Sequence, residues 1–159
     1  MTQGGVLGGA RNPARHRPIV DVHVLLLDAE GRVLLMERAN TGYADGRAGV
    51  PSGHLERGES VLAAAIREAE EEVAVRLRPD DLRFVHVSHR SGPGEEDRVG
   101  FFFAAARWDG EPVNNEPEKC AGIWWSDPDD LPASTVDYIA DAIRRVRRDS
   151  EAFSVYGWD

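Results

Sequence analysis

The sequence predicts an α+β sandwich in which helices lie on the faces of a mixed sheet. Short runs of β-branched and large apolar residues, bounded by Gly, Pro and Asp, recur along most of the chain and read as strands. Two stretches instead repeat their apolar residues at three- and four-residue intervals and read as helices. The two kinds of segment do not alternate regularly, which favours a mixed sheet over a uniformly parallel one. A chain of 159 residues holds one core comfortably and two poorly. Residues 1–17, with Gly4, Gly5, Gly8 and Gly9 followed by Arg11, Arg15 and Arg17, have little to bury, so a mobile arm is expected ahead of one domain over residues 18–159.

The elements follow in order. Ile19 to Leu27 reads as a strand, Asp28-Ala29-Glu30-Gly31 as a turn and Val33 to Met36 as a second strand, so a hairpin is expected. Asn40 to Gly49 reads as a loop leading into the short segment Val50 to His54. Leu62, Ile66, Ala69 and Val73 lie on one helical face and predict a helix from about Ser60 to Val73. Further strands are expected at Leu82 to His89, at Val99 to Trp108 beyond the turn Ser91-Gly92-Pro93-Gly94, and at Gly122 to Ser126. Val136, Ile139, Ala140 and Ile143 mark a second helix, Ser134 to Arg148, with Ser134 and Asp137 close to a capping box and a basic last turn that suits the helix dipole. The aromatics Phe153, Tyr156 and Trp158 after it are expected to dock onto the domain, a second copy or a substrate cleft.

Composition narrows the function. Hydrophobic residues make up 42% and charged residues 30%, which excludes a disordered or fibrous chain, and the longest apolar runs, Val61 to Ile66 and Phe101 to Ala106, are too short for a bilayer. The formal charge of −9 disfavours polynucleotides and anionic membranes as partners. Cys120 is the one cysteine, and with no evident secretion signal a reducing, cytoplasmic setting is expected.

On the first helix the acids are not spread evenly. Glu68, Glu71 and Glu72 stand at i, i+3 and i+4 and converge, while Glu70 points away from them. Like charges at that spacing repel by a few tenths of a kcal/mol per pair, so the cluster opposes the helix unless a cation neutralises it. An oxygen-rich group of this kind suits Mg²⁺ or Mn²⁺, which also accept waters and substrate phosphates as ligands. A solvated acidic face is the ordinary alternative.

The surrounding spacing decides between them. Gly53, then Glu59 after five residues, then Arg67-Glu68 after seven more, then Ala69-Glu70-Glu71-Glu72-Val73-Ala74-Val75, resembles the Nudix box of the Nudix hydrolase family. Six fixed polar or glycine positions match, and chance would supply that on the order of 10⁻⁷ per starting position at average residue usage. Gly49-Val50-Pro51-Ser52-Gly53-His54 upstream, and Asn115-Glu116-Pro117-Glu118-Lys119-Cys120 with Trp124-Trp125 and Leu131-Pro132 downstream, extend the resemblance to a subgroup with MutT-like, nucleoside-triphosphate-cleaving members. Two positions depart from the pattern: Ser52 stands for a second glycine, and Ala74 for the glycine that closes the helix, where a different helix ending is expected.

The resemblance implies an α/β/α sandwich with a mixed sheet and a loop-helix box. It also implies hydrolysis of a diphosphate linkage with divalent cations, Mg²⁺ or else Mn²⁺. A modified or ordinary nucleoside triphosphate, cleaved to monophosphate and pyrophosphate, leads. Nucleotide sugars, ADP-ribose, dinucleoside polyphosphates, isoprenyl diphosphates and a non-catalytic nucleotide sensor are the alternatives. By similarity, Glu68 and Glu72 are metal ligands with Glu71 beside them, Glu68 being alternatively the group that orients or deprotonates the water, and the Ser52 carbonyl joins them. Arg67 pairs with Glu59, and Glu116 or Glu118 adds a ligand or base. Arg38, Arg98, His54 and Lys119 are candidates for substrate phosphate, and a homodimer is plausible by analogy. His86 and His89, at odd spacing on one strand, read as structural.

Overall fold

The computed structural model describes residues 14–158, so most of the expected N-terminal arm lies outside the described residues. Eight strands and two α-helices appear among them: β1 (Ile19–Leu26), β2 (Val33–Arg38), β3 (Ala48–Gly49), β4 (Ser52–His54), α1 (Val61–Val73), β5 (Arg83–Arg90), β6 (Arg98–Ala105), β7 (Cys120–Ser126), α2 (Asp137–Arg147) and β8 (Phe153–Tyr156). A mixed sheet runs β4-β1-β6-β5-β8 and a smaller antiparallel one runs β3-β2-β7. No helix among the described residues is long and apolar enough to cross a membrane.

The two sheets are tied by strands that are buried on both faces. From β1, Val22, Val24 and Leu26 enter one core with Ala64, Ala65, Ala69 and Val73 of α1, while Leu25 enters the other with Val136, Ile139, Ala142 and Ile143 at α2. Leu34 and Leu35 of β2 divide the same way. This is why both runs read as nearly continuous apolar stretches.

The expected hairpin is corrected. The turn does form, with Asp28 N–H donating to Arg32 O and Gly31 at φ +78°, but pairing ends at a single bridge between Leu27 and Val33. β4 and β6 already occupy the two edges of β1, so β2 has no ladder to join there and pairs with β3 and β7.

The capping box expected at Ser134 and Asp137 also does not form. α2 starts after Val136 without a side-chain cap, and Asp137 instead pairs with Arg47 at 3.1 Å. The aromatic tail becomes β8, which adds to β5 as a parallel edge strand and places Tyr156 at the cleft described below.

The end of α1 departs from expectation in the opposite sense. Ala74 keeps the left-handed conformation usual for glycine, φ 59° and ψ 26°, and its N–H donates to Glu70 O. The remaining terminal carbonyls are satisfied from the following segment: Glu71 O by Asn115 Nδ2, Glu72 O by Asn115 N–H and Val73 O by Val113 N–H. With Val73 and Val75 fully buried on either side, the fold holds the strained alanine in place. Ala74→Gly is therefore expected to stabilise the protein by about 1 kcal/mol, raising Tm by roughly 2–4 °C in calorimetry.

Candidate active site

The site is built where α1 meets the outer edge of β4. Val24 N–H donates to Pro51 O and Leu55 N–H to Val20 O, so the intervening Ser52 and His54 sit at the positions of the ladder whose backbone groups point away from β1. Side chains of α1 meet that free edge. Ser52 N–H donates to Glu72 Oε2 at 2.8 Å, and Arg67 Nη2 donates to His54 O at 3.2 Å. The Ser52 carbonyl is likewise not engaged in the ladder to β1, which leaves an oxygen beside the Glu72 carboxylate.

Gly53 lets the helix come this close. A Cβ at that position would overlap the Glu68 carboxylate, so the glycine leaves the space in which Glu68 lies against the strand. Both carboxyls feel the burial. Glu72 is pushed up to about 8, chiefly by desolvation and against the Ser52 hydrogen bond, with the Glu68 and Glu116 charges adding to the rise. Burial also raises Glu68, opposed by Arg67. Two desolvated carboxyls that ionise reluctantly are what a cation would stabilise.

Among the described residues no three His, Cys, Asp or Glu side chains form a ready-made metal cage. Two inward carboxylates and a backbone carbonyl instead fit a hard divalent cation that keeps waters and takes substrate oxygens to complete its shell.

Arg67 braces the loop. It donates to Glu59 through Nη2 at 2.7 Å and Nε at 3.1 Å, to Glu68 Oε1 at 2.7 Å and to Glu71 Oε2 at 3.4 Å. Glu59 also accepts from Glu56 N–H, closing the turn before α1, and Ser60 caps the helix by accepting from Ala63 N–H. Glu71 stands at the outer flank, 54% exposed, beside the inward pair and not within it.

A cleft of about 680 Å³ opens over Ser52, Gly53 and Glu72. Of the two downstream acids expected near the site, Glu116 lines the cleft and raises both carboxyls, whereas Glu118 is not among its lining residues. Arg38, His54, Arg98 and Lys119 all line it. Arg38 is held by Tyr43 O and Thr41 Oγ1, and Lys119 faces Glu116 at 3.5 Å.

Asp21, His23, Arg90 and Tyr138 also line the cleft, and the sequence reading did not single them out. The available signal was two polar residues, Asp21 and His23, placed two apart inside an apolar strand, where i and i+2 share a face. His86 and His89 do take opposite faces as expected: His86 is buried and bonds Ser154, while His89 pairs with Asp97.

Comparison with known proteins bears on the family and the fold. A NUDIX domain model matches residues 17–146. The crystal structure of a MutT NUDIX hydrolase from Burkholderia pseudomallei is 27% identical, with a TM-score of 0.75 and coverage of 82% of this chain and 99% of that one. A MutT protein from Methanosarcina mazei Go1 is similar at 18% identity and a TM-score of 0.73, covering 86% and 98%. A NUDIX hydrolase from Nitrosomonas europaea is similar at 20% identity and a TM-score of 0.71, covering 85% and 92%.

The raised Glu72 carboxyl has a signature in stability. A carboxyl raised in the folded state contributes fully below its unfolded value, near 4.5, and that contribution is lost as pH rises through about 8. Without divalent cation, the stability of wild type relative to Glu72→Gln is expected to fall across pH 5–8, by up to about 1.4 kcal/mol per pH unit. Denaturant titrations check this, and Mg²⁺ should flatten the difference by favouring the ionised form.

Proposed function

The chain belongs to the Nudix hydrolase family, and from that premise we propose that it hydrolyses a nucleoside triphosphate, ordinary or modified, to the monophosphate and pyrophosphate, with Mg²⁺. The protein is a Nudix pyrophosphohydrolase acting on nucleoside diphosphate-linked compounds. The observation that carries the finer reading is the desolvated Glu72 carboxyl, with Glu68 beside it on α1, in a cleft that Arg38, Arg98 and Lys119 also line.

In this reading Glu72, Glu68 and the Ser52 carbonyl hold the cation. When bound, the cation supplies neutralisation of phosphate charge and a more acidic water. Arg67, fixed by Glu59, keeps Glu68 against Gly53 so that its carboxylate is held in one place. Glu68 is also the carboxylate best placed to orient the attacking water or accept its proton, with Glu116 as a further acid in the cleft. Arg38, Arg98 and Lys119, which line the same cleft, bind the phosphate chain and Tyr43 offers an exposed aromatic surface to the rest of the substrate.

A nucleotide panel assayed with Mg²⁺, with products separated as phosphate or pyrophosphate, tests this. Pyrophosphate release from a nucleoside triphosphate is expected; turnover confined to nucleotide sugars or ADP-ribose would overturn the substrate assignment. Glu72→Gln should lower kcat by about 10³-fold, the equivalent of roughly 4 kcal/mol of lost transition-state stabilisation, while leaving the circular dichroism spectrum unchanged.

A further inference from the structure

Beyond the carboxylate pair, the cleft holds a buried ion cluster that crosses three strands. Asp21 of β1 and Arg90 of β5 are 5% and 8% exposed, and Arg90 Nη2 donates to Asp21 Oδ2 at 2.9 Å with Nη1 at 3.5 Å from Oδ1. β6 lies between those strands, and the pair passes over it at Gly100. A Cβ there would stand 2.6 Å from Arg90 Nη1 and 2.7 Å from Asp21 Oδ1. The Tyr138 ring covers the guanidinium, 3.7 Å from its centroid, and His23 bonds the other Asp21 oxygen at 3.1 Å. Burial pushes the Asp21 carboxyl up, but the His23 hydrogen bond and the Arg90 charge outweigh it and hold it well below the usual carboxylate range.

Ion pairs buried this deeply are seldom more stabilising than apolar packing of the same volume. Their place in the substrate cleft therefore calls for another role, and Arg98 supplies one. Arg98 Nη1 lies 3.6 Å from Asp21 Oδ2 and donates to His54 Nε2 at 2.9 Å. Its Nε and Nη2 make no hydrogen bond to another described residue, and its side chain is one-third exposed at the cleft. His54 stands two residues beyond Ser52 on the same side of β4, about 7 Å along the strand from it.

We propose that Asp21, itself held by Arg90, is a positioning residue that fixes Arg98 against His54 so that the free side of the guanidinium binds an anionic oxygen of the substrate's phosphate chain. The inference rests on the phosphate substrate proposed above. Asp21 touches no substrate in this arrangement; it removes the freedom that a partly exposed arginine would otherwise lose on binding.

Steady-state kinetics on the panel nucleotide with the highest kcat/KM, and calorimetric binding of inorganic triphosphate with Mg²⁺, test the arrangement. The second probe carries the phosphate chain without a base. Arg98→Ala should raise KM and the triphosphate Kd by about tenfold with kcat held within about twofold, as expected for loss of one charge-assisted contact made equally in ground and transition states. Asp21→Asn should raise both in the same direction, and adding it to Arg98→Ala should change them by less than about twofold, because the two act through one contact. If Asp21→Asn does not fold with Arg90 left unpaired, D21N/R90M removes both buried charges and takes its place. Unchanged KM and Kd in Arg98→Ala, or an Asp21 effect of the same size with and without Arg98, would overturn the proposal. A loss of triphosphate binding in Arg98→Ala without turnover of any panel compound would support it while removing the hydrolytic reading.

Discussion

The free edge of β4 is met by side chains of α1, and the site depends on that substitution. An edge strand presents unpaired N–H and C=O groups that need partners. Here Ser52 N–H finds Glu72 and His54 O finds Arg67, so the helix is docked through residues of the proposed site. Gly53 between them removes the one side chain that would hold the helix off. The docking also desolvates the carboxyls, which raises Glu72 and Glu68 and makes a cation the natural completion of the interface.

The same economy explains how the strained helix end survives. An alanine at a left-handed position is tolerated because Asn115 and Val113 bind the carbonyls that would otherwise be orphaned. The segment that does so continues directly to Glu116 and Lys119. Closing α1 therefore also sets the part of the cleft that Glu116 and Lys119 line, and backbone satisfaction and site geometry are one constraint.

What was legible in the sequence follows from locality. α1, its capping serine and the convergence of Glu68 with Glu72 depend on spacing along one helix, and the Arg67 to Glu59 contact closes over eight residues. The destination of β2 was not legible, because a turn between two apolar runs looks the same whether or not both edges of the first strand are already taken. Nor was the difference between Glu116 and Glu118, which comes from the path of a loop and not from residue type. Asp21 and Arg90 are separated by 69 residues and meet only because β6 brings β1 and β5 together with a glycine at the crossing. Polar residues inside an apolar strand were the visible half of that cluster.

The net charge of −9 can now be reconciled with a phosphate substrate. Averaged over the molecule it would repel one, but the averaging is what misleads. The charges are local: Glu72 and Glu116 line the cleft with Glu68 next to Glu72 on α1, Arg38, Arg98 and Lys119 line the same cleft, and Arg90 is neutralised by Asp21. Acids that suit a divalent cation contribute attraction to phosphate once that cation is present, and the arginines contribute it directly. On the same reasoning a bare polyanion, spread over a surface larger than the cleft, would meet the repulsive average. Under the proposed function, a preference for small, metal-bound diphosphate compounds over polynucleotides would follow from where the charges sit.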